Sequence, residues 1–156
     1  MPEIPVAPPR PDDRFGIVVA QWNRGVTGRL LDGAVAALEK AGVPADAIDV
    51  AWVPGSWELS LPAQQMATSG QYAAIICLGA VIRGETTHDQ HINRAVSLAI
   101  TEISLATGVP VLFGLLTCEN MDQALARAGG PVGNKGVECA EAALHMVGLL
   151  RNVPGA

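Results

Sequence analysis

The chain has 156 residues, enough for one ordinary domain, and 49% of them are hydrophobic, so a sizeable core can be buried. Its formal net charge of −5 speaks against the basic face of a nucleic-acid binder, though not against small anionic ligands, which one local arginine can serve. Only 16% of residues are charged, against a usual ~25%, and such an apolar chain points to surface hidden in an oligomer.

The opening MPEIPVAPPRPDD holds five prolines in its first eleven residues, which predicts an extended, irregular arm over 1–13. Alone it would be disordered, and a neighbouring subunit could order it. It lacks the basic start and apolar run of a secretory signal, and no apolar stretch approaches the ~20 residues of a bilayer span. Cys77, Cys118 and Cys139 stand far apart with no CxxC pair, which reads as reduced thiols. The expected compartment is the cytoplasm, with no membrane partner.

RFGIVVAQW (14–22) reads as a buried strand through Ile17, Val18 and Val19. Val26, Leu30, Ala34, Leu38 and Ala41 then recur at helical spacing until Gly42 and Pro44. AIDVAWV (47–53) is a second strand, closed by Pro54-Gly55. A short helix is expected from Ser56, with Ser56 as N-cap, Glu58 in the first turn and a possible bend at Pro62. QYAAIICLGAVI (71–82) is the clearest central strand, apolar on both faces. A polar break follows, then a long helix over about 89–106, with a stripe through Ile92, Val96, Ala99 and Ile103. VPVLFGLLT (109–117) is the fourth strand. A short helix follows, with Asn120 as cap and Gln123 at capping-box distance, ended by Gly129-Gly130-Pro131. A last helix carries Ala140, Ala143, Leu144, Val147 and Leu150 inward.

Strands alternating with crossover helices predict a parallel sheet, and strands apolar on both faces need helices on both. The expected fold is α/β: a three-layer α/β/α sandwich on a four-stranded parallel sheet. A single domain is expected over 14–150, with a short tail at 151–156.

Ligands of open parallel sheets bind beyond the carboxyl ends of the strands. The unusual residues gather there: Gln21-Trp22-Asn23, Pro54 to Glu58, the segment after Ile82, and the end of strand four near Phe113 and Thr117-Cys118-Glu119. Gly84-Glu85-Thr86-Thr87 opens a helix and suits a phosphate; it equally suits plain helix capping. His88 is placed for proton transfer, or else satisfies a backbone carbonyl. His88, His91 and Asp89 hint at metal but lack the spacing of a ligand set, and no metal is expected. Without GxGxxG or a P-loop motif, no nucleotide cofactor is implied. Glu58 could accept hydrogen bonds from sugar-like hydroxyls, and Trp22 could stack on a planar ring. Arg127, Lys135 and Phe113 each have a structural reading beside a ligand-binding one, and His145 reads as structural.

Together Trp22-Asn23, PGSWELSLPA (54–63), GAVIRGETTH (79–88), FGLLT (113–117) and QALARAGGPVGNKGVE (123–138) resemble the lumazine synthase family across about 14–150. The resemblance implies a flavodoxin-like fold. It implies condensation of 5-amino-6-(D-ribitylamino)uracil with 3,4-dihydroxy-2-butanone 4-phosphate in riboflavin biosynthesis, without cofactor or metal. It further implies that His88 transfers protons and that Gly84, Glu85 and Thr86 cradle the phosphate. Arg127 of an adjacent subunit would pair with that phosphate, and Trp22, beside Asn23, would stack on the ring. Ser56, Trp57 and Glu58 would hold the ribityl chain, and the backbone of Ala80, Val81 and Ile82 would read the pyrimidine. Phe113 would reach across the subunit boundary, and Lys135 would lie near the same shared pocket. A homopentamer is implied, or a 60-subunit shell able to enclose riboflavin synthase. Asp89-Gln90-His91 stands where many relatives carry an aromatic-acidic-aromatic run, and Trp22 and Trp57 are bulkier than the usual choices. The alternative is a non-catalytic flavin- or lumazine-binding protein, or a cargo-enclosing shell; intact His88 and Arg127 favour the enzyme.

Overall fold

The computed structural model describes residues 1–155. Four parallel strands form its sheet: β1 (Phe15–Ala20), β2 (Ile48–Val53), β3 (Ala74–Ile82) and β4 (Val111–Cys118), in the order β2-β1-β3-β4. Registers run Phe15 to Ile48, Phe15 to Ala74 and Ile75 to Val111. Five helices surround the sheet: α1 (Arg24–Lys40), α2 (Ser60–Thr68), α3 (His88–Thr107), α4 (Met121–Ala126) and α5 (Lys135–Leu150).

The two cores follow from side-chain alternation along a strand. Ile17, Val19, Ile76 and Leu78 face the layer of α1 and α5, where they meet Leu30, Leu38, Ala140 and Ala143. Val18, Ala20, Ile75 and Cys77 face the layer of α2 and α3, where they meet Leu59, Ala63, Val96 and Ile100. Every residue of β1 is buried, as a central strand covered on both sides requires. The three-layer, flavodoxin-like sandwich expected from the sequence is the observed one. Burial pushes the Cys77 thiol up to about 12 and that of Cys139 to about 11, and it raises Cys118. Thiols so shifted are poor nucleophiles near neutral pH. No helix among the described residues is long and apolar enough to cross a membrane.

Local details depart from expectation. The segment after Gly55 is a single 3-10 turn, Ser56–Glu58, with α2 starting only at Ser60. Ser56 is not an N-cap; it is buried against β3, where Gly79 leaves room for its Oγ. Pro62 lies in the first turn of α2, whose N–H groups have no helical acceptor, so it forces no bend. Beyond α4, a ribbon of β5 (Ala128–Gly130) and β6 (Gly133–Asn134) was not foreseen. Asn120 does cap α4, its Oδ1 accepting the Gln123 N–H at 2.9 Å. Phe113 is not at the tip of β4 but is its third residue, paired with Cys77.

The proline arm has neither helix nor strand, and it lies on its own chain. The Ala7 N–H donates to Gly148 O at 3.2 Å, and Asn152 Nδ2 donates to Pro5 O at 2.7 Å. Asp13, 6% exposed, pairs with Arg151. Gly148 is required here, because a Cβ would strike the Ala7 carbonyl.

Helices α1 and α5 touch backbone to backbone at Gly136, where a Cβ would collide with the carbonyl of Leu30. Overpacking of this kind costs ~1–3 kcal/mol, and each kcal/mol lowers the melting temperature of a chain this size by about 2–4 °C. Gly136→Ala is therefore expected to melt several degrees below the parent in a thermal scan. An unchanged midpoint would show that the two helices can move apart freely.

Candidate functional site

After β1 the chain keeps pairing with the end of β2, through Gln21 N to Val53 O at 2.8 Å and Trp22 N to Pro54 O at 3.1 Å. Asn23 then takes a left-handed conformation (φ 61°), which asparagine tolerates better than most residues. Its Nδ2 donates to Ala80 O at 2.9 Å, tying the first strand-helix turn to the end of β3. The turn leaves Trp22 projecting, 74% exposed. On the β2 side, Glu58 folds back so that Oε2 accepts the Gly55 N–H at 3.0 Å. This fixes the 3-10 turn and leaves Trp57 exposed beside Trp22's side of the opening.

The third wall is the end of β3 and the start of α3. Arg83 continues the pairing with β4, its N–H donating to Cys118 O at 2.8 Å, while its guanidinium pairs with Glu119 at 3.3 Å. Gly84 to Thr87 are exposed. Helix α3 opens at His88, with no side-chain cap from Thr87. Thr86 Oγ1 accepts the His88 N–H at 3.4 Å. The first turn of a 20-residue helix thus presents backbone donors at the rim, which favours an anion.

Trp22, Asn23, Ser56, Trp57, Glu58, Ala80, Val81, Ile82, Gly84, Thr86 and His88 line one cleft of about 520 Å³. That size is ordinary for a small-molecule site. Glu85 is exposed and does not line it. Two further lining residues, Asp89 and Ile92, were not foreseen as site residues. Ile92 packs against the α2/α3 core as its place in the stripe predicts, and one turn beyond His88 it also faces the cleft. Asp89, which the sequence offers as a metal ligand, stands on the cleft wall.

Arg127, Lys135 and Phe113 lie elsewhere. Arg127 follows α4, and its Nη1 donates to Gln123 O at 3.1 Å. The small ribbon returns the chain so that Lys135 N donates to Arg127 O at 2.9 Å, which brings both cations together. Lys135 Nζ is 2.9 Å from Glu138 Oε2, and that hydrogen bond raises its pKa. Arg127, Lys135, Thr117, Val132 and Glu138 border a second depression of about 330 Å³, which shares no residue with the first. Phe113 stands on edge strand β4, 38% exposed, and borders neither. Among the described residues, no lysine or arginine lines the His88 cleft.

An imidazole at a helix start, an aromatic rim and a polar turn thus meet in one cleft at the carboxyl ends of the strands. The model of the 6,7-dimethyl-8-ribityllumazine synthase family matches residues 12–151, which span every element described above. The chain therefore belongs to the 6,7-dimethyl-8-ribityllumazine synthase family, as a transferase of riboflavin biosynthesis that condenses 5-amino-6-(D-ribitylamino)uracil with 3,4-dihydroxy-2-butanone 4-phosphate.

Proposed function

We propose that the two substrates meet in the His88 cleft, and that Arg127, Lys135 and Phe113 of an adjacent subunit complete it. One observation carries this reading: a single chain splits the needed groups between two depressions with no common residue, and the one holding His88 has no cation for a phosphate. Family membership brings substrate binding and oligomeric assembly with it. The finer assembly, a homopentamer or twelve of them in a 60-subunit shell enclosing riboflavin synthase, is part of the proposal.

Each role has a chemical reason. The ring's primary amine attacks the ketone, giving a carbinolamine, and loss of water gives an imine. A proton must then leave the adjacent carbon as phosphate departs. Ring closure by the second nitrogen and a second loss of water complete the lumazine. Every step moves a proton, and His88 is the lining side chain suited to both giving and taking one. Trp22 offers a face for the pyrimidine, and the backbone of Ala80, Val81 and Ile82 offers donors and acceptors to its edge. Glu58, with one oxygen held by Gly55, keeps the other for a ribityl hydroxyl beside Ser56 and Trp57. Gly84, Thr86 and the first N–H groups of α3 suit the phosphate, with Glu85 shaping the turn. The neighbour's Arg127 and Lys135 offset the charge that grows as phosphate leaves. Much of the remaining acceleration comes from holding two reactants together.

Light scattering after gel filtration tests the assembly that this site needs. The expected mass is five chains or a multiple of five, with turnover lost on dilution to monomer. A monomer that turns over at the full rate would refute the shared site.

A further inference from the structure

Asp89 lines the cleft beside His88, and no role above uses it. A carboxylate in the first turn of α3 suits the helix dipole, which accounts for its charge but not for its place on the cleft wall. Its Oδ1 is shut off from solvent and has no hydrogen-bond partner. Asn93, one turn further along α3, has a similar orphaned Oδ1, but it does not line the cleft. The other lining carboxylate, Glu58, already receives the Gly55 N–H. Asp89 is thus the lining carboxylate left without a donor among the described residues.

We propose that Asp89 is a specificity-determining residue that accepts hydrogen bonds from the amine and hydroxyl donors of the diaminouracil, and not from the phosphate-bearing ketone. This rests on the cleft being the substrate site. An ionised carboxylate only accepts, so it matches a neutral substrate rich in N–H and O–H groups. A phosphate dianion offers further acceptors and is repelled. Because one oxygen has already lost its water, a donor reaching the group gains its bond at a reduced desolvation cost. The terminal torsion of aspartate is broad and nearly two-fold, so either oxygen can turn to the ligand.

The test is steady-state kinetics of Asp89→Ala and Asp89→Asn in the assembled enzyme, with each substrate varied separately. Binding of 6,7-dimethyl-8-ribityllumazine is followed in parallel by quenching of tryptophan fluorescence. Asp89→Ala is expected to raise KM for the diaminouracil about tenfold, the scale of a hydrogen bond to a charged group. Product affinity should fall by less, because ring closure removes the amine N–H donors and leaves the ribityl hydroxyls; KM for the butanone phosphate should hold or drop, and Asp89→Asn should lie between. A rise confined to the butanone phosphate would overturn the proposal and assign Asp89 to holding the neighbour's Arg127. Two unchanged KM values in an intact assembly would also overturn it, leaving a helix-dipole role. Where Asp89→Ala fails to assemble, the KM split of Asp89→Asn decides. Trp22→Ala serves as the reference: if it too leaves product binding unchanged, the cleft itself is misassigned. If it alone weakens binding, only the role of Asp89 falls.

Discussion

Replacing His88 by alanine is expected to slow lumazine formation by roughly 10-fold to a few hundredfold without abolishing it. A positioned acid-base group is typically worth ~10²–10⁴, and the expectation sits low on that scale because the attacking amine is already a nucleophile. His88 is exposed and belongs to neither core, so the change should spare the fold. Its N–H, the group bonded to Thr86 Oγ1, belongs to the backbone and survives the substitution. The loss should therefore fall on kcat, with both KM values near those of the parent. That split separates proton transfer from binding. Lumazine absorbance under saturating concentrations of both substrates is the measurement. A variant with undiminished kcat would remove His88 from the chemistry.

The site was legible where one rule governs it. Trp22, Ser56, and Ile82 with His88 come from three separate stretches, yet each follows or closes a strand, and parallel strands deliver their carboxyl ends to one edge. Apolar runs without alternation in β1 and β3 carried the doubly covered sheet. What stayed hidden depended on partners distant in the chain. Ser56 looks like a cap by its neighbours, but the room opened by Gly79, two strands away in the sheet, draws it inward. The strands Ala128–Gly130 and Gly133–Asn134 are too short and glycine-rich to show a period. Phe113 is exposed because β4 is an edge strand, and edge position follows from strand order, which local pattern does not specify. The prolines fix the arm as extended, but its resting place depends on the bare backbone at Gly148.

Arg127→Ala is expected to raise KM for the butanone phosphate by about 10- to 100-fold, the range of a hydrogen bond to a charged group, while KM for the diaminouracil changes little. Lys135 lines the same depression and keeps some affinity. Among the described residues Arg127 makes no ion pair, so its loss leaves no orphaned partner carboxylate there. The decisive form of the experiment mixes this variant with His88→Ala. If a site takes His88 from one subunit and Arg127 from the next, random co-assembly of equal amounts restores intact sites at about one in four, because heterologous contacts around a ring join unlike chains at chance. Activity at low butanone phosphate should then rise well above the mean of the two parents. Were both residues to serve the same site from the same chain, every mixed assembly would carry a lesion in each site and the mixture would never exceed that mean. The two depressions share no residue on one chain, so the geometry favours rescue, and a mixture that stays at the parental mean would break the link between assembly and catalysis.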